Sequence, residues 1–149
     1  MQRINLGKAV PELYKTVLEL ENLSMQKVQQ AGLEIGFSHL LKLRASQINQ
    51  CAFCVRMHTQ DAMKAGESIE RIALISAWQE SGYLSEKERA ALILIEEITL
   101  IAQQHFPDSA YQEAAKSLSD AEVAAIEWIA IVINTWNRIA ISSQYAVNP

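Results

Sequence analysis

The fold class of this 149-residue chain is decided by one stretch of its sequence, Ser119-Asp120-Ala121-Glu122-Val123-Ala124-Ala125-Ile126-Glu127-Trp128-Ile129-Ala130-Ile131-Val132-Ile133. Ser119 and Glu122 have the spacing of a capping box, in which each side chain satisfies a free backbone amide at the start of a helix. The residues that follow are apolar on nearly every face of such a helix, which is typical of a helix buried on all sides. The stretch therefore predicts a long internal α-helix.

A second stretch repeats this pattern. Residues 84–92 parallel residues 118–126, and Ser85 and Glu88 form the same capping box before another apolar run, Ala90–Ile101. Two copies are fewer than the three that a repeat array needs, so two independently capped helices are the alternative to a duplicated unit. Two helices without a polar face are hard to bury inside one small protomer. They predict a subunit interface, and hence an obligate homo-oligomer.

The rest of the chain also favours helices. Only five Gly and three Pro leave little material for turns, and no segment alternates polar and apolar residues as a strand does. We expect a connection over residues 45–50, with Asn49 as the N-cap of a helix that carries both cysteines and ends at Gly66. The sequence thus predicts one compact, all-α, multi-helix domain over residues 1–149.

Composition excludes several functional classes. Half of the residues are apolar and a fifth are charged, which excludes a disordered chain. The net charge of −4 argues against binding to nucleic acid or to a membrane surface. The apolar run Ala124–Ile133 contains Glu127 and is far shorter than the roughly 20 residues needed to span a bilayer. Because residues 1–10 also lack the apolar core of a secretory signal, we expect a soluble, cytoplasmic protein.

The chemistry of the chain centres on its two cysteines, which form a single C-x-x-C motif, Cys51 to Cys54. In a reducing compartment such a pair is more often catalytic or metal-binding than structural. On one helix, Cys51, Cys54 and His58 would share a face, with His58 one turn beyond Cys54. The helix start stabilises a thiolate, and the imidazole either takes the thiol proton or stays as a cation beside the anion. The motif predicts an activated dithiol in which one sulfur attacks and the other resolves the product as a disulfide.

Two other interpretations of the motif are an inert buried pair and a zinc site. The inert pair is disfavoured because the motif has polar neighbours that indicate access to solvent: Asn49, Gln50, Arg56 and Gln60. Zinc needs four ligands, and only His39, His105 and carboxylates remain to complete a poor tetrahedral set on a single helix. A thioredoxin-like fold is excluded because no strand precedes the motif. We therefore expect neither a bound metal nor a cofactor.

Polar side chains also fall within the buried last helix. They are Asn134, Trp136, Asn137 and Arg138. Buried polar groups are almost always hydrogen-bonded, so we expect a network that specifies the core or an interface.

The run from Leu41 to Cys54, continued by Met57-His58-Thr59-Gln60-Asp61-Ala62, resembles the alkylhydroperoxidase D-like core of the carboxymuconolactone decarboxylase superfamily. Later landmarks, Glu86–Leu92 and Ile133–Arg138, extend the resemblance over about residues 11–145. It implies an all-helical fold assembled as trimers or hexamers. It also implies a thiol-dependent peroxidase without a cofactor, which reduces small hydroperoxides and is re-reduced by a dithiol donor such as a lipoyl protein.

By this resemblance Cys54 is the peroxide-attacking thiol, Cys51 the resolving thiol and His58 part of the proton relay. The helix dipole by itself favours Cys51, but an imidazole within reach of Cys54 outweighs a screened dipole of about 0.3–1 kcal/mol. Two positions depart from the family. His39 stands where the best-characterised members carry Glu, and Phe53 where they carry His. His39 is either a substitute base, with a reference pKa of about 6.5, or a half-exposed surface residue.

Two functional alternatives stay open beside the peroxidase. One is a non-enzymatic redox-sensing oligomer whose dithiol is oxidised once. The other is a carboxymuconolactone decarboxylase-type lyase. Decarboxylase members of the superfamily do not depend on the dithiol, so its presence favours redox chemistry.

Overall fold

The computed structural model describes residues 3–148 of the chain, and within that range it contains helices and no strand. This confirms the predicted all-α fold. The α-helices are α1 (Leu6–Ala9), α2 (Pro11–Gln30), α3 (Ile35–Ile48), α4 (Ala52–Lys64), α5 (Ile69–Leu74), α6 (Glu86–Thr99), α7 (Ile101–Gln104), α8 (Asp108–Ala115) and α9 (Asp120–Ser142), with a 3₁₀ turn at Ile75–Ala77. None of the helices in residues 3–148 is both long and apolar enough to cross a membrane.

Both predicted capping boxes are present. Ser85 accepts a hydrogen bond from the Glu88 amide at the start of α6, and Ser119 accepts one from the Glu122 amide at the start of α9, with the reciprocal carboxylate bond made in each case. The two helices pack against each other and against α3, so α3, α6 and α9 form the centre of the molecule. Helix α2 covers α9, α4 covers α3, and α8 covers α6.

Helix α3 is longer than the sequence indicated, and the predicted connection over residues 45–50 is wrong. The helix continues to Ile48 because its last turns are buried, and because the Ser46 hydroxyl donates to the Lys42 carbonyl at 2.8 Å. A serine bonded in this way needs no solvent, so its polarity does not end the helix. Ser38, Lys42 and Ser46 follow at intervals of four residues and form a buried polar stripe along the helix.

The two apolar helices are not buried on every side within one protomer. Helix α6 ends at Thr99, short of the predicted Ile101, and Ile101 is exposed at the start of α7. On α9 the Trp128 side chain remains 50% exposed, and Ile131 and Ile141 are also exposed. These apolar side chains are exposed in the protomer, while the obligate homo-oligomer remains a prediction.

Candidate active site

Helix α3 ends in a Schellman motif that delivers Cys51 to the start of α4. Gln50 has a left-handed φ of 57°, its amide donates to the Gln47 carbonyl at 3.1 Å, and the Cys51 amide donates to the Ser46 carbonyl at 3.0 Å. These are the two hydrogen bonds that define the motif. Cys51 then serves as the N-cap of α4, and its Sγ accepts a hydrogen bond from the Cys54 amide at 3.4 Å. Cys51 therefore lies just before the helix, and not on the helical face that was expected to carry both cysteines.

The predicted N-cap, Asn49, has a different role and is the C-cap of α3. Its side-chain amide donates to Asn134 Oδ1 at 2.9 Å and to Asn137 Oδ1 at 2.8 Å on α9. Arg138 also donates to Asn134 Oδ1, at 2.9 Å, and Asn137 donates to Ser46 Oγ at 3.0 Å. This confirms the expected hydrogen-bonded network in the last helix. Because the network holds the end of α3, it also fixes the turn from which the cysteines project.

Cys51 and Cys54 form a disulfide with a Cα–Cα distance of 5.3 Å. Their exposed fractions are only 2% and 1%, so the access to solvent inferred from the polar neighbours of the motif is wrong. The cover is apolar: Phe53 and Tyr145 pack on the pair, with their ring centroids 5.2 Å apart in an edge-to-face arrangement. A bulky reductant therefore has to displace part of this cover to reach the sulfur atoms.

Cys54 borders a mostly apolar cavity of about 290 Å³ between α2, α3, α4 and α9, whereas Cys51 does not line it. The apolar part of the lining comes from Tyr14, Leu18, Phe53, Met57, Trp136, Ala140 and Tyr145. The polar part comes from Glu21, His39, Lys42, His58 and Asp61. The two sulfur atoms thus have different surroundings, although they are joined to each other.

His58 is one turn beyond Cys54 on α4, as predicted, and is only 5% exposed. Within residues 3–148, neither of its ring nitrogens has a hydrogen-bond partner. Burial, followed by the smaller effects of Lys42 and His39, lowers the pKa of His58 to about 3. The disulfide-bonded protein therefore holds a neutral imidazole at neutral pH, and the cationic alternative considered for His58 does not apply to it.

His39 faces the same cavity from α3, with its ring centroid 5.7 Å from that of His58 and the rings inclined by 30°. Burial lowers its pKa below the usual 6.5, and the Lys42 ammonium lowers it further, while Asp61 and Glu21 act in the opposite direction. Its Nδ1 is buried without a partner among the described residues. His39 is half-buried and lines the cavity, and its role as a substitute base stays a prediction.

Sequence reasoning missed a buried ion pair that lines the cavity. Lys42 on α3 is 1% exposed, and its ammonium pairs with Glu21 of α2 and also contacts Met25 Sδ at 3.0 Å. The second oxygen of Glu21 accepts a hydrogen bond from Trp136 Nε1 at 3.2 Å. A lysine within the apolar run Leu40-Leu41-Lys42-Leu43 was the available signal, because lysine is almost never fully buried unless it is paired.

Three of the four predicted site residues line the cavity, namely Cys54, His58 and His39. The fourth, Cys51, does not line it and is joined to Cys54 by the disulfide. The residues that could hold a metal ion are His39, His58 and Asp61, whose candidate ligand atoms lie within 4.8 Å of one another. His105, the other imidazole considered for zinc, is exposed at the end of α7 and does not line this cavity.

The molecule is an all-α protein with a C-x-x-C disulfide beside a cavity, and of the two cysteines it is Cys54 that lines this cavity. The profile of the carboxymuconolactone decarboxylase family matches residues 11–97. The chain belongs to this family and to its alkylhydroperoxidase D-like group, which confirms the resemblance read from the sequence.

Two relatives are similar over nearly the whole chain. The uncharacterized protein YdfG of Bacillus subtilis (strain 168) is 37% identical over 141 residues, which are 95% of this chain and 93% of YdfG. The crystal structure of ATU0492 from Agrobacterium tumefaciens superposes with a TM-score of 0.89 at 44% identity, and the match covers 100% of this chain and 99% of that one. ATU0492 is described as a protein of unknown function and a suggested antioxidant defence protein AhpD.

Proposed function

We propose that the protein is a thiol-dependent peroxidase that reduces small hydroperoxides through a Cys51/Cys54 dithiol–disulfide cycle. The observation that carries this proposal is the position of Cys54. Cys54 lines the cavity together with the imidazoles of His39 and His58 and the buried ammonium of Lys42, whereas its disulfide partner Cys51 does not line it. A hydroperoxide bound in the cavity would contact Cys54 and not Cys51.

The cycle has three steps. The Cys54 thiolate attacks one peroxide oxygen, so that an S–O bond forms, the O–O bond breaks, and the alkoxide leaves and takes up a proton to become an alcohol. The Cys51 sulfur then attacks the sulfenic acid of Cys54, which forms the disulfide and releases water as the Cys51 thiol proton joins the departing hydroxide. A dithiol donor finally reduces the disulfide and becomes a disulfide itself.

The cavity supplies the groups that the first step needs. A neutral His58, one helical turn from Cys54, offers a ring nitrogen to the departing oxygen or to the thiol proton. The positive charge that favours a thiolate comes from Lys42, because His58 is uncharged at neutral pH. His39 and Asp61 lie in the same cluster as His58 and are the groups to which that proton would pass.

The two departures from the family pattern have structural counterparts. Phe53 is not a proton carrier and instead forms part of the apolar cavity wall and of the cover over the disulfide. A carboxylate is still present in the cavity although His39 replaces the family Glu, because Glu21 enters it from α2. The cavity therefore contains imidazole and carboxylate groups, the chemical types that the proposed proton relay needs, partly at positions that differ from the family pattern.

Partners follow from the same chemistry. The electron donor we propose is a dithiol or lipoyl protein, since a C-x-x-C disulfide is reduced by thiol–disulfide exchange. We place the cycle in a reducing compartment such as the cytoplasm, where such donors are kept reduced. The exposed apolar side chains of α9 support a homo-oligomer in which they are covered, and the family resemblance implies a trimer or hexamer.

The decisive experiment is steady-state peroxide consumption by the reduced protein. Dihydrolipoamide is the reductant, and hydrogen peroxide, tert-butyl hydroperoxide and cumene hydroperoxide are the substrates. Cys54→Ser should lose turnover with every peroxide. Cys51→Ser should react once and accumulate a trappable sulfenic acid on Cys54. His105→Gln, which changes an exposed histidine outside the cavity, is the matched control and should behave as the wild type.

A redox-sensing oligomer is the second candidate, and the burial of both sulfur atoms favours it because burial slows re-reduction by a protein donor. A sensor would consume one peroxide per chain and then stop, whatever the amount of dihydrolipoamide. Sulfenic acid found on Cys51 of the Cys54→Ser protein, and none on Cys54 of its counterpart, would reverse the roles of the two cysteines. Decarboxylation of a lactone that is unaffected by either cysteine substitution would point to the lyase instead.

A further inference from the structure

His58 presents a chemical problem that peroxide reduction alone does not resolve. It is nearly fully buried, yet both of its ring nitrogens lack a partner within residues 3–148. Buried polar side-chain atoms in folded proteins nearly always have a hydrogen-bond or metal partner, because a bare buried group keeps the cost of its lost hydration. The His39 Nδ1 atom is in the same condition a few ångströms away.

A carboxylate completes this cluster. Asp61 stands three residues after His58 on α4, so the two side chains share one face of the helix, and His39 faces them from α3. A histidine and a carboxylate at i, i+3 on one helix, met by a ligand from a neighbouring helix, is the arrangement from which metal sites in helical bundles are built. The candidate ligand atoms of the three residues lie within 4.8 Å of one another.

We propose that His39, His58 and Asp61 form a binding site for a divalent transition-metal ion, Zn²⁺ being the best match, with the remaining coordination position open to the cavity. Two imidazoles and one carboxylate, with a fourth position left to solvent or substrate, form a ligand set used by zinc enzymes. Mg²⁺ and Ca²⁺ fit less well because they prefer oxygen ligands.

The distances agree with this assignment. With Zn–N bonds of about 2.0–2.1 Å and a near-tetrahedral angle, the centroids of two imidazole ligands lie roughly 5–6 Å apart, and the observed separation is 5.7 Å. Ligand atoms that lie up to 4.8 Å apart have to approach one another by roughly 1.5 Å around the ion, because tetrahedral Zn ligands are about 3.3 Å apart. Asp61 can supply that movement because its present ion pair, with Lys64 at 3.2 Å, lies at the exposed edge of the site and is weak.

The charges in the cavity permit a cation. Lys42 lies nearby, but the cavity lining also carries two carboxylates, Glu21 paired with Lys42 and Asp61 among the proposed ligands, and Asp61 can offset the charge of the ion. An imidazole ligates a metal ion in its neutral form through a ring nitrogen, and His58 offers two ring nitrogens without a partner among residues 3–148. The proposed site in the oxidised protein does not include the cysteines, because both sulfur atoms are bonded to each other in the disulfide. On reduction, Cys54 becomes available as a fourth ligand one helical turn from His58.

Metal binding and peroxide reduction would compete, because an ion on His58 occupies the nitrogen that handles the proton. This consequence rests on the proposed function, whereas binding of the ion does not. Zn²⁺ should therefore inhibit the peroxidase, and a chelator should restore it.

The test is a titration of the oxidised, metal-stripped full-length protein with Zn²⁺, followed by isothermal calorimetry and, with Co²⁺ as the probe, by visible absorption. We expect one ion per chain and the intense visible bands of a low-coordinate Co²⁺ site. Asp61→Asn and His39→Gln should each weaken the affinity by at least about tenfold, the lower range seen when support of a metal site is lost. His105→Gln is the matched control for adventitious binding by a surface histidine and should leave the affinity unchanged.

Two results would overturn the assignment. One is the absence of stoichiometric binding to the wild type. The other is an affinity that is insensitive to Asp61→Asn and His39→Gln, or that is lost with His105→Gln. Circular dichroism establishes that each variant is folded, and Asp61→Asn, at a partly exposed position, keeps the test available if a histidine variant does not fold. Because the oxidised protein is titrated without peroxide, failure of the peroxidase proposal would leave this result readable.

Discussion

Replacing Glu21 by Gln should destabilise the protein far more than a change at a partly exposed position ordinarily does. The carboxylate is the charge partner of Lys42, which is 1% exposed, while the Glu21 side chain itself is 21% exposed. Glu21→Gln keeps the size of the side chain and an oxygen for the hydrogen bond from Trp136 Nε1. It leaves the ammonium of Lys42 buried with the sulfur of Met25 as its main remaining contact.

The magnitude follows from the burial of the lysine. Removing one partner of a buried ion pair typically costs 3–5 kcal/mol, and the partial exposure of Glu21 places this case near the lower limit, at about 3 kcal/mol. For a chain of this length that loss lowers the melting temperature by roughly 10 °C. Lys42→Met should cost only about 1 kcal/mol, because methionine fills a similar volume and Glu21 can take up water at its exposed edge.

Urea denaturation of the wild type, the two single variants and the double variant completes the measurement. The double variant has no buried charge left in this pair, so it should be more stable than Glu21→Gln alone, with a coupling of about 2 kcal/mol. Strictly additive losses, or a loss below about 1 kcal/mol for Glu21→Gln, would refute the view that Lys42 depends on its partner.

The same variants report on the site. A nearby opposite charge shifts the pKa of an acidic group by about 1–3 units. Lys42→Met should therefore raise the pKa of the Cys54 thiol and slow sulfenic acid formation at neutral pH by about tenfold or more. Lys42→Arg, which keeps the charge, should recover part of that rate, and stopped-flow measurements on the reduced proteins provide the comparison.

Four further predictions follow from the structure. If His39 is the base, the peroxidase rate should fall on acidification only as the pH passes through the lowered pKa of His39, below the reference value of about 6.5. His39→Gln should then lose rate at neutral pH, and His39→Glu should keep it. Equal rates for the wild type and His39→Gln from about pH 5 to 8 would remove His39 from the mechanism. The pKa of His58 is lowered to about 3 in the folded protein, so on acidification the unfolded chain takes up a proton at His58 before the folded protein does. The free energy of unfolding should therefore drop by roughly 4 kcal/mol between about pH 6.5 and 3. In urea titrations at different pH values, His58→Gln should reduce this dependence of stability on pH. Tyr145→Ala should open the cover over the sulfur atoms and speed alkylation of the reduced protein by iodoacetamide severalfold, and an unchanged rate would show that Tyr145 does not limit access. Light scattering at micromolar concentration should give a trimer or hexamer, and a stable 16.7 kDa monomer would rule out the obligate assembly.

The sequence by itself determined the features that arise from neighbours along the chain. The capping boxes of α6 and α9 and the i, i+4 relation of Cys54 and His58 depend on residues three or four apart, and the structure contains each of them. Such features form within a single helix, where the backbone geometry fixes which side chains meet. The C-x-x-C motif belongs to the same class, since its disulfide closes across one turn.

The boundary between α3 and α4 was mispredicted because tertiary contacts compete with the local signals there. Asn49 is a good N-cap by type, but its side chain is drawn to Asn134 and Asn137, which lie 85 and 88 residues away. The polar residues before it favoured a connection, yet burial against α9 and the hydrogen bond from Ser46 to the Lys42 carbonyl keep them helical. Tertiary contacts override local preference at such positions.

The groups that surround the Cys51–Cys54 disulfide and its cavity could not be predicted from the sequence, because they come from distant parts of the chain. The Lys42–Glu21 pair joins residues 21 apart, and Trp136 reaches Glu21 across 115 residues. The cover that Tyr145 provides for Cys51 and Cys54 likewise depends on where the end of α9 lies. Periodicity predicts which face of a helix is apolar, but it does not predict which helix that face meets or at what height. The packing of the whole core determines both, and it brings the ammonium of Lys42, the imidazoles of His39 and His58, and Cys54 to the same cavity.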